Sequence, residues 1–349
     1  MNGERGSRET PSLFSCSYAG FLPQNKGLKV NIHEICVTPV RFPDSNFAVC
    51  CGTTDCPFIP AAELFKGLNI MENIRLRNGV VMPQVGYGVY QVDPAECERC
   101  VSDALAVGYR MIDTAQAYHN EEGVGAAVRK SGIAREELFL VSKIWISNYG
   151  YDKARASIDE SLRRLDTDYI DLMLLHQPFC DRYGAYRALE AAYKEGKVRA
   201  IGVSNFYPDH LIDLANNVEI PPMVNQVETH VFDQQKEARK YMEELDCRIM
   251  SWGPLAEGRN KFFTNPVLEE IGKRYGKSVA QVALRWLVQS GVIIIPKSVH
   301  VERMKQNLDI FGFTLSADDM AEIRRLDTGK SLFFDHHDPE VVKMFMGWR

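Results

Sequence analysis

Residues 138–176 read LFLVSKIWISNYGYDKARASIDESLRRLDTDYIDLMLLH and contain one complete strand–helix–strand unit. Apolar runs at 138–143 and 169–175 show little polar alternation, which is typical of strands buried on both faces. The segment between them has apolar residues at helical spacing, namely Ala154, Ile158, Leu162 and Leu165. Such a stripe is typical of a helix that packs on a sheet. The stretch therefore predicts two parallel strands joined by a helix.

The same unit recurs along the chain from Pro83 onward. Strand-like runs fall at 84–89, 109–113, 138–143, 169–175, 198–203, 223–227, 248–252 and 292–296. Before the last run, Ser278-x-x-Gln281 is a capping-box pattern that predicts the start of a helix. Strand–helix units repeated eight times over about 250 residues predict an α/β fold, the (β/α)8 TIM barrel. A doubly wound parallel sheet is the alternative.

Glycine-rich phosphate loops separate these two folds. A dinucleotide-binding doubly wound sheet carries G-x-G-x-x-G after its first strand, and a P-loop carries G-x-x-x-x-G-K-[ST]. The sequence contains neither pattern. Gly123 and Gly125 lack the third glycine, and we interpret them as residues of helix–strand packing. The barrel is the favoured interpretation.

Residues 1–70 show no helical or strand period, and prolines are scattered through them. We predict a poorly ordered N-terminal extension at 1–70 and a single domain at 71–349. Met71 is an alternative start of the natural product. Just after it, Asn78-Gly79 between apolar stretches predicts a β-hairpin. We expect deletion of 1–70 to leave activity and thermal stability almost unchanged, and a large loss of either would contradict this division.

Composition and charge argue against several classes of protein. The 349-residue chain has 45% hydrophobic and 25% charged residues, an ordinary globular composition. Its formal net charge of -5 argues against nucleic-acid or membrane-surface partners, which attract basic proteins. No apolar run approaches the roughly 18 residues of a membrane helix, and none resembles the core of a secretory signal. We therefore expect a cytoplasmic protein.

The 9 cysteines are concentrated near the N-terminus. An odd number without a signal peptide favours free thiols. The alternative is a zinc site built from Cys50, Cys51, Cys56 and the pair Cys97-x-x-Cys100. Only that pair has ligand-like spacing, and it falls in a helical pattern, so we expect no metal site.

Polar residues lie at the carboxyl ends of three adjacent predicted strands. Asp113 ends the second strand, Lys143 ends the third and His176 ends the fourth. Tyr118 follows Asp113 on the connecting loop. In a (β/α)8 barrel the carboxyl ends of the strands form the active site, so these four side chains are expected to meet in one pocket.

These residue types suit proton transfer to a carbonyl oxygen. A phenol has a pKa near 10, and a neighbouring ammonium group lowers that value by favouring the ionised form. We expect Lys143 to lower the pKa of Tyr118, and Asp113 to orient Lys143. Tyr118 then acts as a general acid, while His176 hydrogen-bonds the same oxygen. None of the four is a reductant, so a nicotinamide cofactor is expected nearby.

Several blocks of sequence resemble the aldo-keto reductase family. They are GYRMIDTAQAYHNEEGVG (108–125), LDTDYIDL (165–172), IGVSNF (201–206), NQVE (225–228) and IPKS (295–298). The chain looks most like the bacterial NADPH-dependent members of the 2,5-diketo-gluconate reductase type, from about Met71 to its end. The resemblance implies a hairpin that closes the bottom of the barrel, bound NADP(H), and reduction of aldehydes or ketones to alcohols.

The resemblance also implies roles for individual residues. Asp113, Tyr118, Lys143 and His176 match the catalytic residues. The positions that match contacts to the cofactor are Gly88, Val89, Asp113, Ser204, Asn205, Gln226, Trp252, Gly253, Leu255, Lys297, Ser298, Val299, Arg303, Gln306 and Asn307.

These cofactor-binding positions match contacts to different parts of the cofactor. Contacts to the nicotinamide amide match Ser204, Asn205 and Gln226, and Trp252 matches a ring that stacks on the nicotinamide. Contacts to the adenosine 2′-phosphate match Lys297, Ser298 and Arg303, and contacts to adenine match Gln306 and Asn307. Two cations and a hydroxyl suit a phosphate dianion, so NADP is expected rather than NAD.

Three departures from common family residues bear on the substrate. Gln177 stands where many members have Trp, Val89 where many have Thr, and Trp252 where Tyr is frequent. Together they imply a polar pocket for small or polar carbonyls. The residues expected to line it are Tyr90, Tyr118, Trp145, His176 and Gln177.

The tail from Ser331 to Arg349 is expected to cover this pocket. It carries Phe333, Phe334, His336, His337 and Trp348. We interpret His336-His337 as solvated residues of an exposed tail rather than as a metal pair. The expected partner is a small-molecule carbonyl substrate, and the expected state is a monomer or a weak homo-oligomer.

Two other functions compete with this interpretation. Short-chain dehydrogenases use Tyr-x-x-x-Lys, which Tyr149 and Lys153 match, but the missing glycine-rich loop argues against that class. The other is a non-catalytic or regulatory NADP-binding member of the same family. The complete set Asp113, Tyr118, Lys143 and His176 favours an enzyme.

Overall fold

A β-hairpin begins the part of the chain that the structure, a computed structural model, describes, residues 72–348. Its antiparallel strands are β1 (Asn73–Arg75) and β2 (Val81–Pro83), and Ile74 pairs with Met82. Gly79 has a φ of 89° in the connecting turn, a conformation that favours glycine. The hairpin predicted from Asn78-Gly79 is confirmed. The predicted extension at 1–70 lies outside the described residues.

Eight parallel strands follow the hairpin and form one sheet. They are β3 (Tyr87–Gly88), β4 (Met111–Asp113), β5 (Phe139–Ile144), β6 (Leu172–Leu175), β7 (Ile201–Ser204), β8 (Val224–Glu228), β9 (Arg248–Trp252) and β10 (Ile293–Ile294). Each strand pairs with the next one along the chain. All eight overlap the predicted runs.

The sheet closes on itself between its first and last strands. Val85 forms a parallel bridge with Ile294, just before β3. The Gly86 amide donates to the Ile294 carbonyl at 2.8 Å, and the Ile294 amide donates to the Gln84 carbonyl at 2.9 Å. Because the two edges are joined, the fold is a (β/α)8 barrel, and the doubly wound alternative is wrong.

Helices surround the barrel. They are α1 (Pro94–Val107), α2 (Glu121–Lys130), α3 (Tyr151–Leu165), α4 (Arg182–Lys194), α5 (Pro208–Ala215), α6 (Lys236–Glu244), α7 (Pro266–Tyr275), α8 (Val279–Gln289), α9 (Val301–Leu308), α10 (Ala317–Arg324) and α11 (Pro339–Met346). The predicted capping box of Ser278 and Gln281 begins α8. Within residues 72–348, no helix is long and apolar enough to cross a membrane.

The two glycines of α2 serve a different purpose from the one predicted. A Cβ on Gly125 would lie 2.5 Å from the Leu165 carbonyl oxygen at the end of α3. A Cβ on Gly123 would lie 2.9 Å from the Cys97 Cβ on α1. Both glycines therefore allow close helix–helix packing, and the interpretation as helix–strand packing was wrong. Cys97 is a buried free thiol, and the described residues include no His, Cys, Asp and Glu cluster suited to a metal.

The hairpin loop covers the amino ends of the barrel strands. Arg77 donates to the carbonyls of Pro222 (3.0 Å) and Leu245 (3.1 Å), which precede β8 and β9. Asn78 donates to the Arg199 carbonyl at 2.9 Å, just before β7. This end of the barrel is therefore closed, and the opposite end, where the strands finish, is left for a functional site.

Candidate active site

The four residues predicted to meet at the strand ends do so. Asp113 is the last residue of β4, Lys143 is the second-last of β5, and His176 directly follows β6. Tyr118 ends a short 3-10 turn after β4. The Lys143 ammonium donates to Asp113 Oδ1 at 2.6 Å and to the Thr114 carbonyl at 2.9 Å, and it lies 3.5 Å from the Tyr118 hydroxyl.

The Lys143–Asp113 ion pair is fully enclosed by the protein. Both side chains are at most 2% exposed. Burial lowers the pKa of Lys143, and the adjacent Asp113 carboxylate opposes that shift. The second Asp113 oxygen accepts from Gln226 Nε2 at 2.9 Å. The ammonium group is thus held in one orientation toward Tyr118.

The electrostatics of Tyr118 differ from the expectation. Loss of solvent around the phenol raises the pKa of Tyr118 well above its usual value of 10.0, and the Asp113 charge raises it further. The predicted lowering by Lys143 was wrong. The main reason is the loss of solvent around the phenol, which disfavours the phenolate. In addition, the Asp113 carboxylate lies 2.6 Å from the ammonium group, so its negative charge offsets the effect of that ammonium on the phenol 3.5 Å away. At neutral pH the phenol keeps its proton.

His176 is a neutral, buried imidazole. Burial lowers the pKa of His176 well below 6.5, and the Lys143 charge adds to the effect. Its ring meets the Tyr118 ring edge-on at 5.6 Å and the Trp145 ring at 5.1 Å. Its Nδ1 is buried and has no hydrogen-bond partner within residues 72–348.

A cleft of about 1040 Å³ opens at the carboxyl ends of the strands. The predicted site residues that line it are Gly88, Tyr90, Asp113, Tyr118, Trp145, His176, Gln177, Ser204, Asn205, Gln226, Trp252, Gly253, Leu255 and Lys297. Lys143 is buried behind Asp113. The predicted cofactor-binding residues that do not line the cleft are Val89, Ser298, Val299, Arg303, Gln306 and Asn307. Val89 in particular is fully buried in the core.

Polar side chains from β7 to β9 form one connected wall of the cleft. Trp252 Nε1 donates to Asn205 Oδ1 at 2.8 Å, and Asn205 Nδ2 donates to the His176 carbonyl at 3.1 Å. Ser204 donates to the Gln226 carbonyl at 2.8 Å. These bonds fix the Trp252 ring and the amides around the strand ends.

Two cations lie near the start of α9, after β10. Lys297 and Arg303 are exposed, and neither forms an ion pair with any residue in the described range. Ser298 is buried and accepts from the His300 amide at 3.1 Å. On α9 itself, Gln306 is exposed and Asn307 is buried. The exposed cations are therefore available to an anionic group.

The chain's tail reaches across the cleft, as predicted. Phe333, Phe334 and Trp348 line it, and Trp145 Nε1 donates to the Trp348 carbonyl at 3.0 Å. The interpretation of His336 as a solvated residue was wrong, because it is only 2% exposed. Its neighbour His337 is exposed.

Sequence reasoning missed Gln116 as a residue of this site. Its Oε1 accepts from the Trp145 amide at 3.0 Å and from Asn148 at 2.9 Å, and it lines the cleft. Its position between Asp113 and Tyr118 was the available signal. By contrast, Tyr149 of the Tyr-x-x-x-Lys string is buried and hydrogen-bonded to the Gln177 backbone.

Comparisons with known proteins agree with the predicted family. The model of the Aldo/keto reductase family matches residues 78–328. The glyoxal reductase of Bacillus subtilis is 48% identical over 261 residues, 74% of this chain and 94% of that protein. The methylglyoxal reductase DkgA of Salmonella typhimurium is 42% identical over 262 residues, with coverage of 74% and 94%. A crystal structure of a Gox0644 mutant in complex with NADPH has a TM-score of 0.71 at 38% identity, with coverage of 75% and 96%. This chain belongs to the aldo/keto reductase family.

Proposed function

We propose that this protein is an NADPH-dependent reductase that converts aldehyde or ketone carbonyls to alcohols, with Tyr118 as the general acid. The observation that carries the proposal is the cluster at the base of the cleft. There a protonated phenol lies 3.5 Å from the ammonium group of Lys143 and beside the neutral imidazole of His176.

The cleft suits an NADP(H) dinucleotide. We assign the nicotinamide amide to Ser204, Asn205 and Gln226 and its ring to the face of Trp252. Gly88 keeps one wall close, because a Cβ there would lie 2.8 Å from the Ile295 carbonyl oxygen. When bound, the reduced nicotinamide supplies a hydride to the carbonyl carbon.

The adenosine end of the cofactor is assigned to the segment after β10. Lys297 and Arg303 are exposed cations without an ion pair among residues 72–348, and they would hold the 2′-phosphate with Ser298. We assign the adenine contacts to Gln306 and Asn307. The remaining cofactor contacts in this assignment are Val89, Gly253, Leu255 and Val299.

The protein's own part of the reaction is to move one proton. As negative charge develops on the carbonyl oxygen, Tyr118 donates its hydroxyl proton to that oxygen and becomes a phenolate. The Lys143 ammonium, 3.5 Å away, stabilises this phenolate. Asp113 keeps the ammonium charged and oriented, since buried Lys143 alone would tend to lose its proton. Solvent then restores the proton to Tyr118.

His176 acts on the same oxygen. A neutral imidazole donates one N–H, and a donor aimed at the developing charge stabilises the transition state more than the ground state. Because its pKa is well below 6.5, His176 stays neutral throughout the physiological range and does not compete with Tyr118 as the acid.

The proposed substrates are small, polar carbonyl compounds. Gln177 adds an amide to the cleft beside His176. Two relatives, 48% and 42% identical, are named as a glyoxal reductase and a methylglyoxal reductase. We place the enzyme in the cytoplasm as a monomer or a weak homo-oligomer.

The test is a screen of NADPH consumption with simple aldehydes, α-dicarbonyls, sugars and steroids, with NADH in parallel. We expect turnover with NADPH, fastest for α-dicarbonyls, and much slower turnover with NADH. Tight NADPH binding without turnover of any carbonyl would support the non-catalytic alternative.

A further inference from the structure

His336 of the tail is locked into the wall of the cleft. Its ring stacks on Phe345 at 5.9 Å and on Phe179 at 6.2 Å, with interplanar angles of 17° and 25°. Its Nε2 lies 3.0 Å from Gln177 Oε1. The proposed mechanism uses none of these contacts, although Gln177 directly follows His176.

The hydrogen bond between the two side chains has a defined direction. An amide oxygen only accepts, so His336 donates its Nε2 proton to Gln177. Burial lowers the pKa of His336 to about 4, so the imidazole is neutral and that proton is its only one. Gln177 lines the cleft, and no hydrogen bond joins its Nε2 amide to another side chain or carbonyl among residues 72–348. An unpaired donor lining a cleft points to a ligand that pairs it.

The backbone of Gln177 is also fixed. Tyr149 donates its hydroxyl proton to the Gln177 carbonyl at 2.7 Å and accepts from the Gln177 amide at 3.1 Å. Because Tyr149 holds the backbone of Gln177, only the side-chain torsions of Gln177 can vary. The hydrogen bond from His336 to Gln177 Oε1 restricts those torsions.

The tail holds His336 between two anchors. On one side, Ser331 and the Leu332 amide donate to the buried Glu228 carboxylate at 2.5 and 2.8 Å. On the other side, Trp145 holds the Trp348 carbonyl at 3.0 Å. These two anchors hold the tail segment that places His336 against Gln177.

We propose that His336 is a positioning residue that presents the Gln177 amide to substrate, and that this amide selects carbonyl compounds with a second oxygen on the adjacent carbon. The inference rests on the proposed function, since it needs a carbonyl between Tyr118 and His176. His176 and Gln177 line the same cleft, so a donor on Gln177 suits a second substrate oxygen near the one that His176 binds. A substrate without that oxygen leaves the donor unpaired, at a cost of about 10- to 100-fold in kcat/KM.

The experiment compares methylglyoxal with propanal, which has the same carbon chain without the ketone oxygen. For the wild type we expect kcat/KM to favour methylglyoxal. H336F keeps an aromatic ring against Phe179 and Phe345 but removes the donor. It should lower kcat/KM for methylglyoxal by about 10-fold, mainly through KM, and leave propanal within about twofold. H336N keeps an N–H donor and should restore part of the loss.

A double-mutant cycle shows whether His336 acts through Gln177. Q177L should lose the preference for methylglyoxal, and H336F should add nothing in the Q177L background. Equal losses on both substrates in H336F, or additive losses in the double variant, would overturn the inference. If H336F does not fold, the same judgement rests on H336N in the wild-type and Q177L backgrounds. Wild-type turnover of other carbonyl compounds but not of methylglyoxal would also overturn the inference, whereas failure to reduce any carbonyl compound of the screen would instead overturn the proposed function.

Discussion

Replacement of Tyr118 by Phe removes one oxygen atom from the centre of the proposed chemistry. We expect little change in the fold, because among residues 72–348 the hydroxyl makes only a long contact of 3.5 Å with Lys143. The phenol is protonated at neutral pH, so the substitution also removes no charge. Tyr118→Phe should therefore keep NADPH affinity and thermal stability close to those of the wild type.

Activity should respond very differently. A positioned general acid contributes about 10²- to 10⁴-fold, which is about 3–5 kcal/mol of transition-state stabilisation. We expect kcat to fall by that factor, measured as NADPH consumption under saturating methylglyoxal. Because the pKa of Tyr118 lies well above 10.0, the wild-type rate of the chemical step should stay flat from pH 6 to pH 9. Single-turnover measurements isolate this step from product release.

Tyr186→Phe is the matched control. Tyr186 is fully buried away from the cleft, and its hydroxyl donates to the Ile220 carbonyl at 2.9 Å. This variant should lose about 0.5–1.5 kcal/mol of unfolding free energy while keeping its activity. If Tyr118→Phe stays folded and retains more than a tenth of the wild-type kcat, the assignment of Tyr118 as general acid fails. If the variant unfolds, the prediction of unchanged stability fails.

Three further substitutions test the cofactor assignment, the electrostatics and the packing. Lys297→Ala should weaken NADPH binding by about 10- to 100-fold and NADH binding by less than about twofold in a fluorescence titration, and equal losses would refute the phosphate assignment. Asp233→Asn should raise the unfolding free energy at pH 8 by up to about 3 kcal/mol, because burial raises the pKa of Asp233 from 3.8 to about 6. The favourable contribution of Asp233 to stability is present below pH 3.8 and is lost as the pH rises through 6. The unfolding free energies of the wild type and the variant should therefore converge near pH 3.5. A difference between them that does not change with pH would contradict this prediction. Gly125→Ala should cost about 1–3 kcal/mol in denaturant unfolding, since its Cβ would meet the Leu165 carbonyl oxygen at 2.5 Å; a change under about 0.5 kcal/mol would mean that α2 shifts freely.

The barrel was predictable because buried parallel strands leave a strong apolar pattern. Their exact ends were not predictable, because hydrogen-bonding partners set them. The last run was predicted at 292–296, but only Ile293–Ile294 forms ladder bonds. Pro296 has no amide proton, and the Val292 amide turns back to the Leu287 carbonyl.

The candidate site was predictable where the topology brings strand ends together. Asp113, Lys143 and His176 meet because adjacent parallel strands finish at the same rim. The pKa direction of Tyr118 was not predictable, since residue types indicate charge but not how much solvent is lost. The contact of His336 with Gln177 spans 159 residues of sequence and leaves no local pattern.

The seam between β3 and β10 has a consequence during synthesis of the chain. The Val85–Ile294 bridge cannot form until residue 294 has emerged, and ribosomes add roughly 5–20 residues per second. Strands that pair with each other during these roughly 10–40 s form a sheet with two open edges. Open strand edges invite pairing with other chains, so the nascent protein should depend on chaperones until its last strand arrives.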